Sequence, residues 1–220
     1  MLHNLRAAGA LPESRLERLA DTAREAQYAA RVLGAPDADI YLRERASEHN
    51  VKRLPLKRYR YLLFATHGLL AGEFGPGVQP ALALSFVGDP ENDGLLEMGE
   101  VLGLDLNADL VVLSACNTAR AEAGTDRGEG FAGLTRAFMY AGADALAVTL
   151  WSIQSRAAEQ MMSDFYGRLA RTPRAQALAD AKRAMIAGGG RFALDEENRI
   201  VVPAAHPFFW APYVLVGEGK

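Results

Sequence analysis

The sequence predicts an α/β fold in which a mainly parallel central sheet is flanked by helices. Three observations predict it. Apolar strand-like segments alternate with helical ones, which implies βαβ units joined by right-handed crossovers. The runs DLVVLSA (109–115) and DALAVTLW (144–151) are continuously apolar rather than alternating, as expected of strands covered on both faces. And 220 residues, half of them hydrophobic, suffice for one sizeable core. The linkers are short and no repeat of fixed period is visible, so a single domain over residues 1–220 is expected.

In chain order, Leu16, Leu19, Ala23, Ala26, Ala30 and Leu33 recur near the helical period, predicting an amphipathic helix over 12–33 that Gly34 stops. DIYLRE (39–44) reads as a short strand, and Ser47 as the cap of a brief helix ended by Pro55. RYRYLLFAT (58–66) is a strand, followed by a loop from Gly68 to Pro80 rich in glycine and proline. ALALSF (81–86) follows as a strand, then a short helix near 97–103, then the buried strand 109–115. After a second glycine-bearing loop, FAGLTRAFMYAG is a helix with Leu134, Ala137 and Phe138 on its apolar face. Beyond the strand 144–151 come helices over about 155–170 and 173–187, the second with Pro173 in its first turn. Residues 188–207 read as loop, and FFWAPYVLVG supplies a last strand.

Composition narrows the function. Lysine and arginine total 24 against 27 acidic residues, a net of −3 with no basic stripe, which argues against a nucleic-acid groove. No apolar run approaches the ~20 residues of a membrane span, and the N-terminus lacks a signal-peptide core, so a soluble, cytoplasmic chain is expected. The single cysteine, Cys116, excludes an internal disulfide and any zinc site built on several thiolates. GTDRGEG (124–130) lacks the Gly-Lys-Ser/Thr ending of a phosphate loop, so nucleotide binding is weakly supported. His206, next to Pro207, reads as a structural residue introducing the last strand.

Two strand ends carry chemistry. In an open parallel sheet, loops at the carboxyl ends of the strands are freed from the ladder and collect ligands. His67 follows one strand and Cys116 another, and if the two strands are neighbours the side chains converge. A thiol with a reference pKa of ~8.5 is only a few per cent thiolate at neutral pH, so an adjacent imidazole would activate it for attack on a carbonyl. The oxyanion then formed needs donors, worth ~2.7–4 kcal/mol for one well-placed group. The amides of Gly68 and Cys116 are the candidates. A small core cysteine and a surface or capping histidine would explain the same two residues, and spacing alone leaves both readings open.

The strand ends ATHG (65–68) and VVLSACNT (111–118) resemble the CHAT peptidase domain, a caspase-like bacterial family often fused or bound to tetratricopeptide repeats. DGLLEMGEVLGLDLNADLVVLSACNTA, RGEGFAGLTRAFMYAGADALAVTLW and HPFFWAPYVLVG follow in the family's order, so the resemblance spans roughly residues 11 to 218. It implies a caspase-like three-layer sandwich and a cysteine endopeptidase. His67 is then the general acid/base, Cys116 the nucleophile, and the Gly68 and Cys116 amides the oxyanion hole. No metal or organic cofactor is implied. A protein or peptide substrate, a partner or fused region bearing tetratricopeptide repeats, and activity dependent on an activator are.

Two departures stand out. Members commonly carry acidic residues after the strand ending in Leu-Trp, and related peptidases use an acid there to bind a basic side chain. Here Gln154 and Ser155 occupy those positions, as substrate-binding candidates suited to a polar or small residue. The alternative is an ordinary exposed helix start with Ser155 as its cap. Members also carry strand-forming sequence before the helix that begins here near Pro12, so the chain reads as a fragment, a short version or a degenerate copy lacking the first strands. Both departures would suit a catalytically silent caspase-like interaction module.

Overall fold

The computed structural model describes residues 16, 19, 21–69, 79–114, 127–151, 153–194 and 200–220. The elements run in the order α1 (Thr22–Leu33), α2 (Glu48–Arg53), β1 (Tyr61–Ala65), β2 (Gly68–Leu69), β3 (Ala81–Ala83), β4 (Leu95–Glu97), α3 (Met98–Val101), β5 (Leu110–Ser114) and α4 (Arg127–Tyr140). They continue with β6 (Ala145–Thr149), α5 (Ser155–Leu169), α6 (Arg174–Ala187), β7 (Arg191–Ala193), β8 (Val201–Pro203), α7 (Pro207–Trp210) and β9 (Tyr213–Gly217).

The central sheet has the order β1-β5-β6-β9. β1, β5 and β6 are parallel, and β9 closes the edge antiparallel to β6. The continuously apolar run in β5 is buried on both faces, as the sequence predicts. Leu110 and Val112 pack with Ala29 of α1 and with Met161, Met162 and Phe165 of α5, while Val111 and Leu113 pack with Leu134, Ala137 and Phe138 of α4. Helices on both sides make three layers. Phe138 also meets Phe64 of β1, ring centroids 5.4 Å apart. β2, β3 and β4 form a separate antiparallel sheet beside the end of β1.

Several local predictions hold. Ser47 caps α2, its Oγ accepting the Asn50 amide at 3.3 Å. Gly34 ends α1 in the left-handed region (φ 75°), donating to the Ala30 carbonyl. His206 is structural, though it introduces a helix and not the last strand: its Nδ1 accepts the Phe208 amide at 3.2 Å as the cap of α7.

Two differ. DIYLRE is not a strand but two 3₁₀ turns, Asp37–Asp39 and Arg43–Arg45. Arg43 takes a positive φ of 53°, and the Arg45 guanidinium stacks 4.7 Å over the Tyr41 ring, contacts an extended strand would separate. The segment 188–207, read as loop, contains the hairpin β7–β8, which tucks Phe192 edge-on against Phe209, centroids 5.3 Å apart.

Candidate functional site

β1 and β5 are neighbours, the condition on which the dyad depends, and their register pairs Ala65 with Ser114. His67 and Cys116 each follow that matched pair by two residues in sequence. The ladder extends one step past β1, with the Thr66 amide donating to the Ser114 carbonyl at 3.2 Å. Cys116, and with it the second oxyanion donor, lies outside the described residues.

His67 is positioned by the small sheet. The chain leaves β1 at Thr66, whose hydroxyl donates to the Ala83 carbonyl, and the Ala83 amide donates to the His67 carbonyl at 2.9 Å. Both bonds fasten the turn to β3. The imidazole is half-buried with Nδ1 enclosed by protein. Gly68 is buried and lies opposite Leu82. Antiparallel partners exchange their bonds at alternate pairs, so contact at His67–Ala83 turns the Gly68 N–H away from β3.

Gln154 and Ser155 meet at the start of α5, and the helix begins differently from the expected exposed start. Gln154, not Ser155, is the N-cap residue; its side chain makes no capping bond, and it is half-buried with Oε1 enclosed. Trp151, just past β6, fixes this corner by donating Nε1–H to the Phe208 carbonyl at 3.0 Å. Among the described residues, no group of three or more His, Cys, Asp or Glu is arranged to hold a metal ion.

Sequence reasoning missed one group at this edge. Glu25, in the first turn of α1, accepts from Ser114 Oγ (2.8 Å) and from the Tyr166 hydroxyl (2.9 Å). Burial pushes its carboxyl above the ordinary value of 4.5, against the two hydroxyl bonds that pull it down. Glu25 stands four residues before Ala29, the residue of this helix that the fold buries, and that spacing puts it toward the core.

A family model described as CHAT domain matches residues 4–218. The chain belongs to the CHAT domain family. Tetratricopeptide repeat protein 28 of Mus musculus is 30% identical over 129 residues, and that of Homo sapiens 30% over 132, each alignment covering 59% of this chain. The chain spans only 5% of the length of either relative. Their printed names are those of tetratricopeptide repeat proteins. Both relatives are mammalian, so they do not carry the bacterial setting expected from the sequence.

Proposed function

We propose that this CHAT domain is a cysteine endopeptidase in which His67 and Cys116 act as a dyad. The observation that carries the reading is the β1–β5 register: Ala65 and Ser114 are partners, and the base and the nucleophile each stand two residues further on. Parallel neighbours lie about 4.8 Å apart, so equivalent positions beyond them are within reach of one substrate carbonyl.

In this reading the Cys116 thiolate attacks the scissile carbonyl, the Gly68 and Cys116 amides hold the oxyanion, and His67 protonates the leaving amine. Water, deprotonated by His67, then hydrolyses the acyl-enzyme. No metal or organic cofactor enters these steps. Gln154 and Ser155 line the substrate side, in keeping with a polar or small residue at the cleaved bond. The substrate is a protein or peptide, the setting is the cytoplasm, and a region bearing tetratricopeptide repeats is the partner suggested by the relatives' names. Among the described residues no helix is long and apolar enough to cross a membrane.

The test is cleavage of a peptide library by the wild type and by Cys116→Ala and His67→Ala. Both variants are expected to be inactive. Proteolysis that persists in Cys116→Ala would overturn the reading and leave the catalytically silent interaction module.

A further inference from the structure

The acyl transfer described above does not call for Glu25, yet this carboxyl sits where the strand that leads to the nucleophile ends. Its two oxygens accept from hydroxyls on two different elements, Ser114 on β5 and Tyr166 on α5, while Glu25 itself belongs to α1. One side chain therefore joins the covering helix, the neighbouring helix and the strand end. The α5 anchor is firm: Tyr166 is 1% exposed and packs against Phe165 inside the core. Ser114 is the last residue of β5, two before Cys116.

The bond to Ser114 is also directional. Leu110 and Val112 show which face of β5 turns toward α1 and α5, and Ser114 continues that face. Where the strand leaves the ladder, backbone pairing no longer fixes its course, and a side-chain tether can. Glu25 also forms part of the wall of an open groove of about 270 Å³ between α1 and α5, in which Arg24 and Glu159 approach to 3.8 Å. Half-buried beside that groove, the carboxyl gives both oxygens to hydroxyls on two other elements, which argues for a role beyond packing.

We propose that Glu25 is a positioning residue for the nucleophile: it fixes Ser114, the last residue of β5, from which Cys116 follows two residues later in sequence. Its catalytic readout rests on the peptidase reading; its chemical readout does not.

The experiment compares Glu25→Ala, Glu25→Gln, Ser114→Ala and the Glu25→Ala/Ser114→Ala double variant. Two quantities are measured: kcat and KM on a cleaved peptide, and the rate at which iodoacetamide alkylates Cys116, the chain's one cysteine. Misplacing a reacting group by about 1 Å can cost ~100-fold, so Glu25→Ala and Ser114→Ala should lower kcat by up to about that factor with KM little changed. Both should alter the alkylation rate several-fold. The double variant should be no worse than either single one, because the two residues form one link. Glu25→Gln, which keeps an oxygen acceptor, should restore wild-type behaviour in both measurements. Wild-type alkylation in Glu25→Ala, additive effects in the double variant, or failure of Gln to restore would each overturn the proposal. Should Glu25→Ala not fold, Ser114→Ala breaks the same link while leaving the Tyr166 contact in place. If the wild type cleaves nothing, the peptidase reading fails and the alkylation rates still decide this one.

Discussion

The two edges of the central sheet are built on different plans. At the amino edge, backbone meets backbone around one buried arginine. Leu106 donates to the Ala141 carbonyl at 2.8 Å, Asp144 to Ala108 at 2.9 Å, and Glu218 to Asp144 at 3.0 Å. Arg174, 6% exposed, threads between them, donating to the carbonyls of Asp109 and Glu218, the latter at 2.6 Å. Two glycines permit the closest approaches: a Cβ on Gly142 would lie 2.3 Å from the Leu106 oxygen, and one on Gly217 2.3 Å from that of Asp144. At the carboxyl edge side-chain hydroxyls join the backbone bonds, from Thr66 to Ala83 and from Ser114 to Glu25. The proposed site lies where the strands release their loops, opposite a frame closed from the far side.

The largest expected effect comes from breaking the amino edge. Gly142→Ala places a methyl group against the Leu106 carbonyl at a residue whose φ is 114°. Strain and overpacking together should cost about 2–6 kcal/mol, read by denaturant unfolding. A variant as stable as the wild type would show that this edge yields and that the contrast is false.

Arg174→Met comes next. It leaves the carbonyls of Asp109 and Glu218 without their guanidinium donor, at about 1.5–3 kcal/mol for each hydrogen bond to a charged group that is lost. If the edges work separately, the folded fraction should still alkylate Cys116 at the wild-type rate. A changed rate would mean that the amino edge also tunes the site, and the two plans would merge into one.

How much of this was legible differs between the edges for physical reasons. The continuous apolar runs in β5 and β6 announce strands with two covered faces, and the ends of two strands announce His67 and Cys116. Burial and strand polarity are local properties that a sequence displays. The tether at Glu25 is not local. Its partners stand 89 and 141 residues away, and only the packing of α1 against β5 and α5 reveals them. An alanine-rich helix also leaves its buried face ambiguous: the apolar spacing favours Ala26 and Ala30, whereas the residue the fold buries is Ala29. Shifting the face by that one step turns Glu25 from a solvated acid into a half-buried one bonded to two hydroxyls. The hairpin β7–β8 escaped because strands of three residues are too short to display an alternation.

The smallest effects are the pH dependences of two carboxyls held in opposite ways. Glu25 is pushed up by burial, so the fold favours its neutral form. That contribution is complete below the ordinary carboxyl range and is lost as pH rises through the raised value. Glu25→Gln should therefore be more stable than the wild type at neutral pH and no more stable in acid. Asp89 runs the other way. The Glu91 amide at 3.0 Å, then His49 at 2.7 Å and Asn92 at 2.7 Å, hold its carboxylate down to about 2. Its contribution is present above the usual value of 3.8 and is lost as pH falls toward 2, so Asp89→Asn should be less stable at neutral pH, by an amount that vanishes in strong acid. Thermal melts of both variants from pH 2 to 8 should give difference curves of opposite sign. A Glu25→Gln curve that shows no gain at neutral pH would place that carboxyl in water, and the tether to Ser114 would then have no buried anchor.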